Sequence, residues 1–358
     1  MTRRPDVDAL LAPSCPSPSG DATADRVQLS HGAGAGATAR LFDELLLPAF
    51  ANPALAARHD GAVLDLPGGA GRLAFTTDTF VVSPLAFPGG DIGALAVHGT
   101  LNDLAMCGAR PLALSCGLVL EEGLPLERLR SVVTSLGRAA EAAGVPIVTG
   151  DTKVVEHGKG DGVFVNTAGV GVVPDGRALA PDRVRPGDAV LVSGDLARHG
   201  VAVLSVREGI AFESPVESDS AALPGLVEAL LAAAPDVHCL RDPTRGGVGA
   251  VLHEIAAASG AEIELHEASL PLDPAVEAAC ELLGLDPLFL ASEGRLLAFV
   301  PEARVDAALA ALRAHPLGRG AARIGRVGEG PARVVVETRI GARRLLPLPA
   351  GEPLPRIC

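Results

Sequence analysis

The clearest pattern of apolar and polar positions lies between residues 127 and 143. Apolar side chains recur there every three or four residues, with charged side chains between them, as on an amphipathic helix. The glycine at position 144 is typical of the residue that follows a helix. The segment is therefore predicted to be a helix with one buried face, formed by Leu129, Val132, Val133, Leu136 and Ala140.

Other segments of the first half show shorter patterns. Residues 72–82 alternate and are rich in β-branched side chains, which favours a strand. Further strands are predicted over residues 27–29, 145–148 and 163–173. A short helix is predicted over residues 39–50, and a longer one begins after Asp91, whose carboxylate is suited to cap the first turn.

The second half alternates between strand-like and helix-like segments. A linker rich in proline and glycine, residues 174–187, separates it from the first half. Strand and helix segments mix without regular βαβ spacing, so we expect an α+β fold with helices on one face of each sheet. The predicted strands are residues 189–192, 262–266, 295–300, 322–328 and 332–338, and the predicted helices are residues 197–208, 220–233 and 247–259.

These patterns predict a division of the chain into four parts. Residues 1–26 are rich in proline, serine and aspartate and are expected to be disordered. Residues 27–174 and 188–344 are expected to form two domains. Residues 345–358 are rich in proline, so they are expected to form an extended, mobile tail rather than a helix.

Charge and composition exclude several classes of function. The formal net charge is −13, and the chain has neither Trp nor Tyr. Nucleic-acid-binding surfaces are basic and stack bases on aromatic side chains, and anionic membranes attract basic proteins. We therefore expect no nucleic-acid partner and no membrane partner.

Targeting segments and cysteine spacing lead to an expectation about location. A membrane-spanning run of about 18 apolar residues is absent, and no apolar stretch follows Arg3 and Arg4 as it would in an export signal. The six cysteines are scattered without a C-x-x-C pair. A zinc site or a disulfide framework is therefore not expected, and we predict a cytoplasmic protein.

Aspartates at turns are the strongest candidates for chemistry. Each is flanked by small or flexible residues near a predicted strand or helix end, and each taken singly is more typical of a cap or a turn. Asn102 and Asp103 are different, because they fall late in a predicted helix, where Asp is unfavourable. Several carboxylates from separate segments favour divalent cations bound to a nucleoside triphosphate. The candidates are Asp60, Asp78, Asp103, Asp151 and Asp242.

Three further features extend this hypothesis. The glycines Gly32, Gly34 and Gly36 precede a predicted helix and offer backbone N–H groups to phosphates, although a flexible hinge is an equal interpretation. Lys153 follows Asp151 and Thr152, and it is suited to neutralise phosphate charge, although a solvated lysine is the ordinary alternative. Glu293 precedes an apolar strand, where burial raises a carboxyl pKa and suits a general base; a purely structural role is the alternative.

The last residue of the sequence, Cys358, is a thiol at the tip of the proline-rich tail. A terminal cysteine is ordinarily part of a frayed end. A semi-rigid extended arm, however, is suited to carrying a covalent group into a pocket.

These segments in this order resemble the HypE family of hydrogenase maturation proteins, within the AIR synthetase-like (PurM-like) superfamily. The resemblance covers residues from about 27 to 358. The aspartate motifs are shared across the superfamily, whereas Pro355-Arg356-Ile357-Cys358 distinguishes HypE from its relatives. The matching segments are residues 75–93, 96–105, 115–125, 148–155, 242–248, 292–294 and 355–358.

The resemblance implies a two-domain PurM-like architecture, with mixed sheets covered by helices and an extended C-terminal tail. It also implies an activity: HypF loads a carbamoyl group onto the terminal thiol, ATP with Mg²⁺ drives its dehydration to a thiocyanate, and cyanide passes to iron held by a HypC–HypD complex. A homodimer with ATP near the subunit interface is implied as well.

Motif by motif, the resemblance makes Cys358 the carrier. Asp60, Asp78, Asp103 and Asp242 become candidates for Mg²⁺, and Lys153 and Glu293 become candidates for orienting and deprotonating the carboxamide. The candidates for nucleotide contact are Gly32, Gly34, Gly36, Asn102, Asp151 and Thr152.

One departure and two alternatives accompany this interpretation. The family usually has a serine and a further glycine where this chain has Ala33 and Ala35. A different PurM-like enzyme, such as a selenophosphate synthetase or a small-molecule kinase or ligase, is the first alternative. An assembly scaffold for metal-centre proteins, without catalysis, is the second.

Overall fold

Two mixed β-sheets organise the part of the chain that the structure describes, one of five strands and one of seven. The computed structural model describes residues 27–32, 36–50, 52–210, 216–349 and 356–358. The strands are β1 (Ala62–Asp65), β2 (Arg72–Phe80), β3 (Ala86–Phe87), β4 (Gly90–Asp91), β5 (Arg110–Glu121), β6 (Ile147–Val155), β7 (Val163–Val173), β8 (Asp188–Val192), β9 (Cys239–Arg241), β10 (Glu262–His266), β11 (Leu297–Pro301), β12 (Ala322–Gly328), β13 (Arg333–Glu337) and β14 (Arg343–Leu345).

Among the described residues, three short α-helices precede β1 and the other seven lie between the strands. The helices are α1 (Gly36–Leu41), α2 (Leu47–Phe50), α3 (Pro53–Ala56), α4 (Ile92–Met106), α5 (Leu126–Ala143), α6 (Arg198–Arg207), α7 (Pro224–Ala233), α8 (Gly247–Ser259), α9 (Pro274–Leu283) and α10 (Val305–Ala314). A π-helical turn, Phe42–Leu46, joins α1 to α2, so the helix predicted over 39–50 begins three residues earlier.

Strand order in the first sheet is β1-β2-β7-β5-β6, antiparallel except for the parallel pair β5 and β6. One face is covered by α4, and α5 packs against α4. Asp91 caps α4 as predicted, because its Oδ1 accepts hydrogen bonds from the N–H groups of Gly93 and Ala94. Gly93 lets α5 approach closely, since a Cβ there would lie 2.3 Å from the carbonyl oxygen of Val132.

The opposite face of the first sheet is exposed in the single chain. Phe75 on β2, Leu112 on β5 and Val172 on β7 are 43%, 52% and 42% exposed. Side chains alternate between the two faces of a strand, so the neighbours of Phe75 on β2, Ala74 and Thr76, point towards α4 and are buried. A sheet face with this much apolar surface is typical of a protein interface.

The second sheet has the order β14-β13-β10-β12-β8-β11-β9 and is covered on both faces. Val190 and Val192 of β8 belong to a core that includes residues of α6, α8 and α9. Leu191, between them, belongs to a second core with α7 and α10. The expectation of helices on one face only is therefore wrong for this sheet, and the uninterrupted burial of β8 is the physical reason.

The α+β class with two mixed, helix-covered sheets is confirmed, and two local predictions are wrong. Leu29–Gly32 forms a 3₁₀ turn where a strand was predicted over 27–29. The short strand predicted over 145–148 is β6, which continues to Val155. The reason is its parallel pairing with β5, which extends the strand through Gly150 and Asp151 despite their turn-like character.

Candidate active site

A cavity of about 260 Å³ between the two sheets collects six of the candidate residues. Acidic side chains dominate its lining, and the thiol-bearing residue Cys358 reaches it from the end of the chain. The six residues are Asp60, Asp78, Asp103, Asp242, Glu293 and Cys358.

Each carboxylate comes from a different element. Asp78 lies on the helix-covered face of β2, and Asp103 lies in the last turns of α4. The hydroxyl of Thr76, also on that face of β2, donates a hydrogen bond to Asp103 Oδ2 at 2.7 Å. Asp60 precedes β1, and Asp242 directly follows β9, so the cavity is assembled from both sheets.

Three of these carboxylates form a group with the geometry of a cation site. One oxygen each from Asp60, Asp103 and Asp242 lies within 4.8 Å of the others. Among the described residues, Asp60 Oδ2, Asp242 Oδ2 and Glu293 Oε1 are buried and lack a hydrogen-bond partner. Buried, unpaired carboxylate oxygens are costly unless a cation or a proton satisfies them. The donor set is all oxygen, which fits a hard divalent cation such as Mg²⁺.

Desolvation and mutual repulsion raise the pKa values of the carboxyl groups in this cavity. Burial raises the pKa of Asp103 well above its ordinary value, and the carboxylates of Asp78, Asp242 and Asp60 raise it further. Burial likewise raises the pKa of Asp60, and it raises the pKa of Asp242 to about 7. Like charges that share a small cavity cannot all ionise without a counter-charge.

Arginine supplies part of that counter-charge, and no sequence pattern had singled it out. The Arg241 guanidinium lies 2.5 Å from Asp60 Oδ1 and 2.7 Å from Glu254 Oε2. Its side chain is 10% exposed, because β9 places it between the cavity and α8. Arg241 is the neighbour of the candidate Asp242 in the sequence, but no sequence pattern indicated that its side chain would contact Asp60.

Glu293 is held at the cavity by its backbone. Its N–H donates to Asp219 Oδ1 at 3.1 Å, and its carbonyl accepts from Asn102 Nδ2 at 3.2 Å. A Cβ at position 294 would lie 1.8 Å from the carbonyl oxygen of Asp219, so this close approach requires Gly294. Burial raises the pKa of Glu293 well above its ordinary value, with Asp242 and Asp219 adding to the effect. Asp219 was not predicted from the sequence.

The candidate Asn102 is fully buried and bridges the two halves. Its amide nitrogen donates to the carbonyls of Ala221 and Glu293, and its amide oxygen accepts from the N–H of Leu223 at 2.8 Å. Both ends of the amide are thus engaged by protein groups. In this arrangement Asn102 connects α4 to the segment that carries Glu293.

The end of the chain is docked at the same cavity. Main-chain N–H groups of Val81 and Ser83 donate to the oxygens of Cys358 and Arg356 at 3.0 and 3.3 Å. Ile357 is 2% exposed and belongs to the large apolar core. Residues 356–358, at the tip of the tail that was predicted to be mobile, are thus docked in this structure, and Cys358 lines the carboxylate cavity.

Asp151 and Lys153 lie on the other face of the first sheet. Both side chains are 69% exposed, and Lys153 Nζ contacts Asp151 Oδ2 at 2.6 Å. Lys153 pairs with Val119 of β5, which is exposed on the face opposite α4. Thr152, between them in β6, is exposed at the edge of the sheet, and none of the three lines the cavity.

Of the glycine candidates, Gly32 ends the 3₁₀ turn and Gly36 begins α1. Gly34 lies outside the described residues. Thr38 of α1 lines the cavity, so this helix reaches the carboxylates from the glycine side. None of the described helices is long and apolar enough to cross a membrane.

Comparison with known proteins identifies relatives over most of the chain. Residues 58–173 match the N-terminal domain of AIR synthase related proteins, and residues 185–337 match the C-terminal domain. Carbamoyl dehydratase HypE of Azotobacter vinelandii is 54% identical over 333 residues, 93% of this chain and 97% of that protein.

Solved structures agree with these matches. The crystal structure of a HypE–HypF complex aligns with a TM-score of 0.82 and 44% identity, covering 86% of this chain and 99% of that chain. HypE in complex with ATP aligns with a TM-score of 0.78 and 49% identity, covering 93% of this chain and 100% of that chain.

Proposed function

Because this chain belongs to the HypE family of carbamoyl dehydratases, within the AIR synthase related proteins, we propose that it dehydrates a carbamoyl group carried on Cys358. The family makes it an enzyme of hydrogenase maturation. The observation that supports Cys358 as the carrier is its position at the carboxylate cavity.

The reaction we propose converts a thiocarboxamide to a thiocyanate at the expense of ATP. The amide oxygen attacks the γ-phosphorus and ADP leaves. The C–O bond then breaks with departure of phosphate, while two N–H protons are lost and the C≡N bond forms. A phosphorylated oxygen leaves far more readily than an amide oxygen, which is why the nucleotide is needed.

Glu293 is our proposed base for the nitrogen protons. Its position in the same cavity as Cys358 supports this role, and so does its raised pKa, since a carboxylate with a higher pKa is a stronger base. Its backbone bonds to Asp219 and Asn102 fix the carboxylate without occupying Oε1.

Asp60, Asp103 and Asp242, with Asp78 beside them, are proposed to hold Mg²⁺. The unpaired buried oxygens of Asp60 and Asp242 support this, and so do the raised pKa values of all four carboxyls, because a cation would offset the repulsion that raises them. When bound, Mg²⁺ supplies positive charge that stabilises the phosphoryl group in transfer. An ATP-bound HypE relative supports ATP as the co-substrate.

A homodimer is proposed to complete the site. The exposed apolar face around Phe75, Leu112 and Val172 is suited to pair with the same face of a second copy. Asp151, Thr152 and Lys153 belong to the strand at the edge of this sheet. Lys153 of one copy would then serve the cavity of the other. The glycines Gly32, Gly34 and Gly36 remain the proposed phosphate contacts of the adjoining turn.

Two protein partners are proposed on the strength of the relatives. The HypE of the solved complex is bound to HypF, so we propose that HypF carbamoylates Cys358 of this chain. A HypC–HypD complex is the proposed acceptor of cyanide. We also propose domains at 27–174 and 188–344, which the matches to two AIR synthase related domains support.

Intact-mass spectrometry tests the reaction. Protein carbamoylated by HypF should lose the mass of one water at the Cys358 peptide when ATP and Mg²⁺ are added, with ADP and phosphate formed. A Cys116→Ser variant, which removes a partly buried thiol outside the cavity, is the matched control and should behave as the parent. Persistence of the carbamoyl mass with ATP unconsumed would refute the proposal.

A further inference from the structure

The last three residues of the chain lie in a groove built by β2's continuation and by α6. Two main-chain hydrogen bonds join Val81 and Ser83 to this segment, as if a short strand were added to the sheet. Arg356 adopts a left-handed conformation, with φ of 57°, which a residue with a Cβ seldom adopts without support. The segment therefore needs contacts that hold its register.

Arg207, in the last turn of α6, supplies the first of these contacts. Its Nη2 donates to the carbonyl oxygen of Arg356 at 2.7 Å and also to that of Ser83 at 2.6 Å. A single guanidinium thus joins the two strands side by side. The Arg356 side chain makes contacts in the opposite direction, from the tail to the domain. Its Nε donates to the carbonyl of Val81 at 3.0 Å, and its Nη2 pairs with Asp161.

His199, in the first turn of the same helix, supplies the second contact. Its Nε2 lies 2.8 Å from the carbonyl oxygen of Ile357, and its Nδ1 lies 2.8 Å from Ser218 Oγ. The Ile357 carbonyl can only accept, so Nε2 carries the proton and Nδ1 accepts from the Ser218 hydroxyl. That hydroxyl in turn accepts from the N–H of Ser220 at 3.1 Å. Burial lowers the pKa of His199 to about 4, so the ring is neutral and keeps this tautomer.

We infer that His199 and Arg207 are positioning residues for the dehydration, which hold the carbonyls of Ile357 and Arg356 and so fix Cys358 at the cavity in one register. The inference rests on the proposed function, because it concerns how the carrier meets the carboxylates. Neither side chain lines the cavity. Both act through the peptide groups on either side of Ile357, whose side chain fills the apolar core.

Alkylation of Cys358 measures docking without ATP or a carbamoyl group. Parent protein is treated with iodoacetamide, and the C-terminal peptide is followed by mass spectrometry beside a free peptide ending in Pro-Arg-Ile-Cys. Cys358 of the parent should react at least about tenfold more slowly than the free peptide, a factor that corresponds to ~1.4 kcal/mol. Equal rates would mean an undocked tail and would overturn the inference.

Two rate constants are measured for each variant, one for single-turnover dehydration and one for alkylation of Cys358. The first divided by the second is the quantity that is compared. Dehydration requires the docked tail, whereas alkylation requires the undocked tail. The ratio is therefore proportional to the equilibrium constant for docking, whichever of the two states is more populated. Arg207→Met should lower the ratio about tenfold, as expected for one hydrogen bond to a charged donor. His199→Leu should lower it about fivefold, as expected for a neutral donor.

Conservative variants and a control separate positioning from folding. His199→Gln and Arg207→Lys each keep a donor and should restore the ratio to within about threefold of the parent. Arg304→Met removes an exposed arginine that pairs with Asp236, far from the tail, and should leave the ratio unchanged. Ratios for Arg207→Met and His199→Leu within about twofold of the parent would overturn the inference, and if one variant fails to fold the other decides.

The two tests also separate this inference from the proposed function. If the parent forms no cyano product while Cys358 is protected, the proposed function fails and docking stands. If the product forms but the ratio is insensitive to both variants, the function stands and the positioning roles fail.

Discussion

The cavity carboxylates and the Asp151–Lys153 pair are two acidic sites that the same sequence pattern predicted together, yet the structure surrounds them differently. Asp242 is buried and Asp103 is partly buried in the cavity, and both have raised pKa values. Asp151 is 69% exposed, and the hydrogen bond from Lys153 lowers its pKa. The two sites lie on opposite faces of one sheet. The difference indicates that the first site concentrates charge within one chain, whereas the second can serve a cavity only if, as proposed, a second copy of the chain lies against it.

The largest effect is expected at the enclosed site. Asp103→Asn removes a proposed cation ligand and should lower the dehydration rate on the order of 1000-fold, since a metal ion supplies several kcal/mol to the transition state. The free energy of unfolding without cation should not fall, because the amide removes a charge that burial and the neighbouring carboxylates disfavour. Single-turnover rates and urea unfolding measure the two quantities. A fall in the free energy of unfolding as large as the loss in activation free energy would mean that Asp103 acts by stabilising the fold, and it would contradict its role as a cation ligand.

The exposed site should respond nearly as strongly, but through a second copy. Lys153→Met should lower the rate about 100-fold, the usual size of a lost charge-stabilising group. Folding should be unaffected, because exposed pairs contribute little to stability. Lys159→Met, at a neighbouring surface turn, is the matched control.

Mixing the two inactive variants distinguishes the chains. If Lys153 serves the partner's cavity, a mixed dimer of Asp103→Asn and Lys153→Met contains one intact site. Random reassortment then restores about a quarter of parent activity, since half of the dimers are mixed and each has one working site of two. If both residues serve the cavity of their own chain, mixing restores no activity. The proposal that Lys153 acts in the cavity of the second copy would then be wrong.

Cation binding should distinguish the sites by stability. At a free Mg²⁺ concentration tenfold above its Kd, the parent should gain ~1.4 kcal/mol of unfolding free energy, and a chelator should reverse it. Because burial raises the pKa of Asp242 to about 7, protons compete with the cation and the gain should shrink as pH falls below 7. Asp103→Asn should lose most of the gain and Lys153→Met none of it. An equal gain in both variants would place the cation elsewhere.

The smallest effect concerns a half-buried carboxylate that belongs to neither site. Glu228 accepts two hydrogen bonds from Arg177, at 2.6 and 2.7 Å, which lower its pKa. A lowered carboxyl pKa stabilises the fold above the unfolded value, and the contribution is lost as pH falls through the folded value. Glu228→Gln should cost about 1 kcal/mol at pH 7, reduced by partial exposure.

The pH series provides the check on that estimate. The difference between parent and Glu228→Gln in urea unfolding should shrink as pH falls below about 4.5, the ordinary value for Glu. A difference that stays constant down to pH 3 would mean that Glu228 acts by packing rather than by charge.

Sequence patterns predicted the elements whose signals are local. The capping of α4 by Asp91 depends on neighbouring residues and is present as predicted. The predicted apolar stripe of α5 is confirmed in part: Val132, Leu136 and Ala140 are buried, whereas Leu129 is half-buried and Val133 is 45% exposed. Strand β5, by contrast, was missed, because Pro111 and Gly117 weaken its pattern and its pairing with β7 and β6 defines it. The length of β6 was missed for the same reason.

In the candidate site, too, the features with local signals were predicted and the features that depend on distant residues were missed. Aspartates at turns could be recognised one by one, and the cavity gathers four of them. Which face of the sheet Asp151 would occupy depends on the register of β6 against β5, which no local pattern specifies. The docking of Arg356–Cys358 could not be predicted either, because it depends on His199 and Arg207, more than a hundred residues earlier in the chain.

Asn102 has a consequence for which sequences this fold can accept. It gives two donors and one acceptor to main-chain groups of the second half, inside a volume that excludes water. Aspartate has the same shape but no donor, leucine has neither function, and glutamine is longer by a methylene in a packed interior. The position is thus open to a single side chain, and an enzyme redesigned around this scaffold would have to keep that amide even if every catalytic group were exchanged.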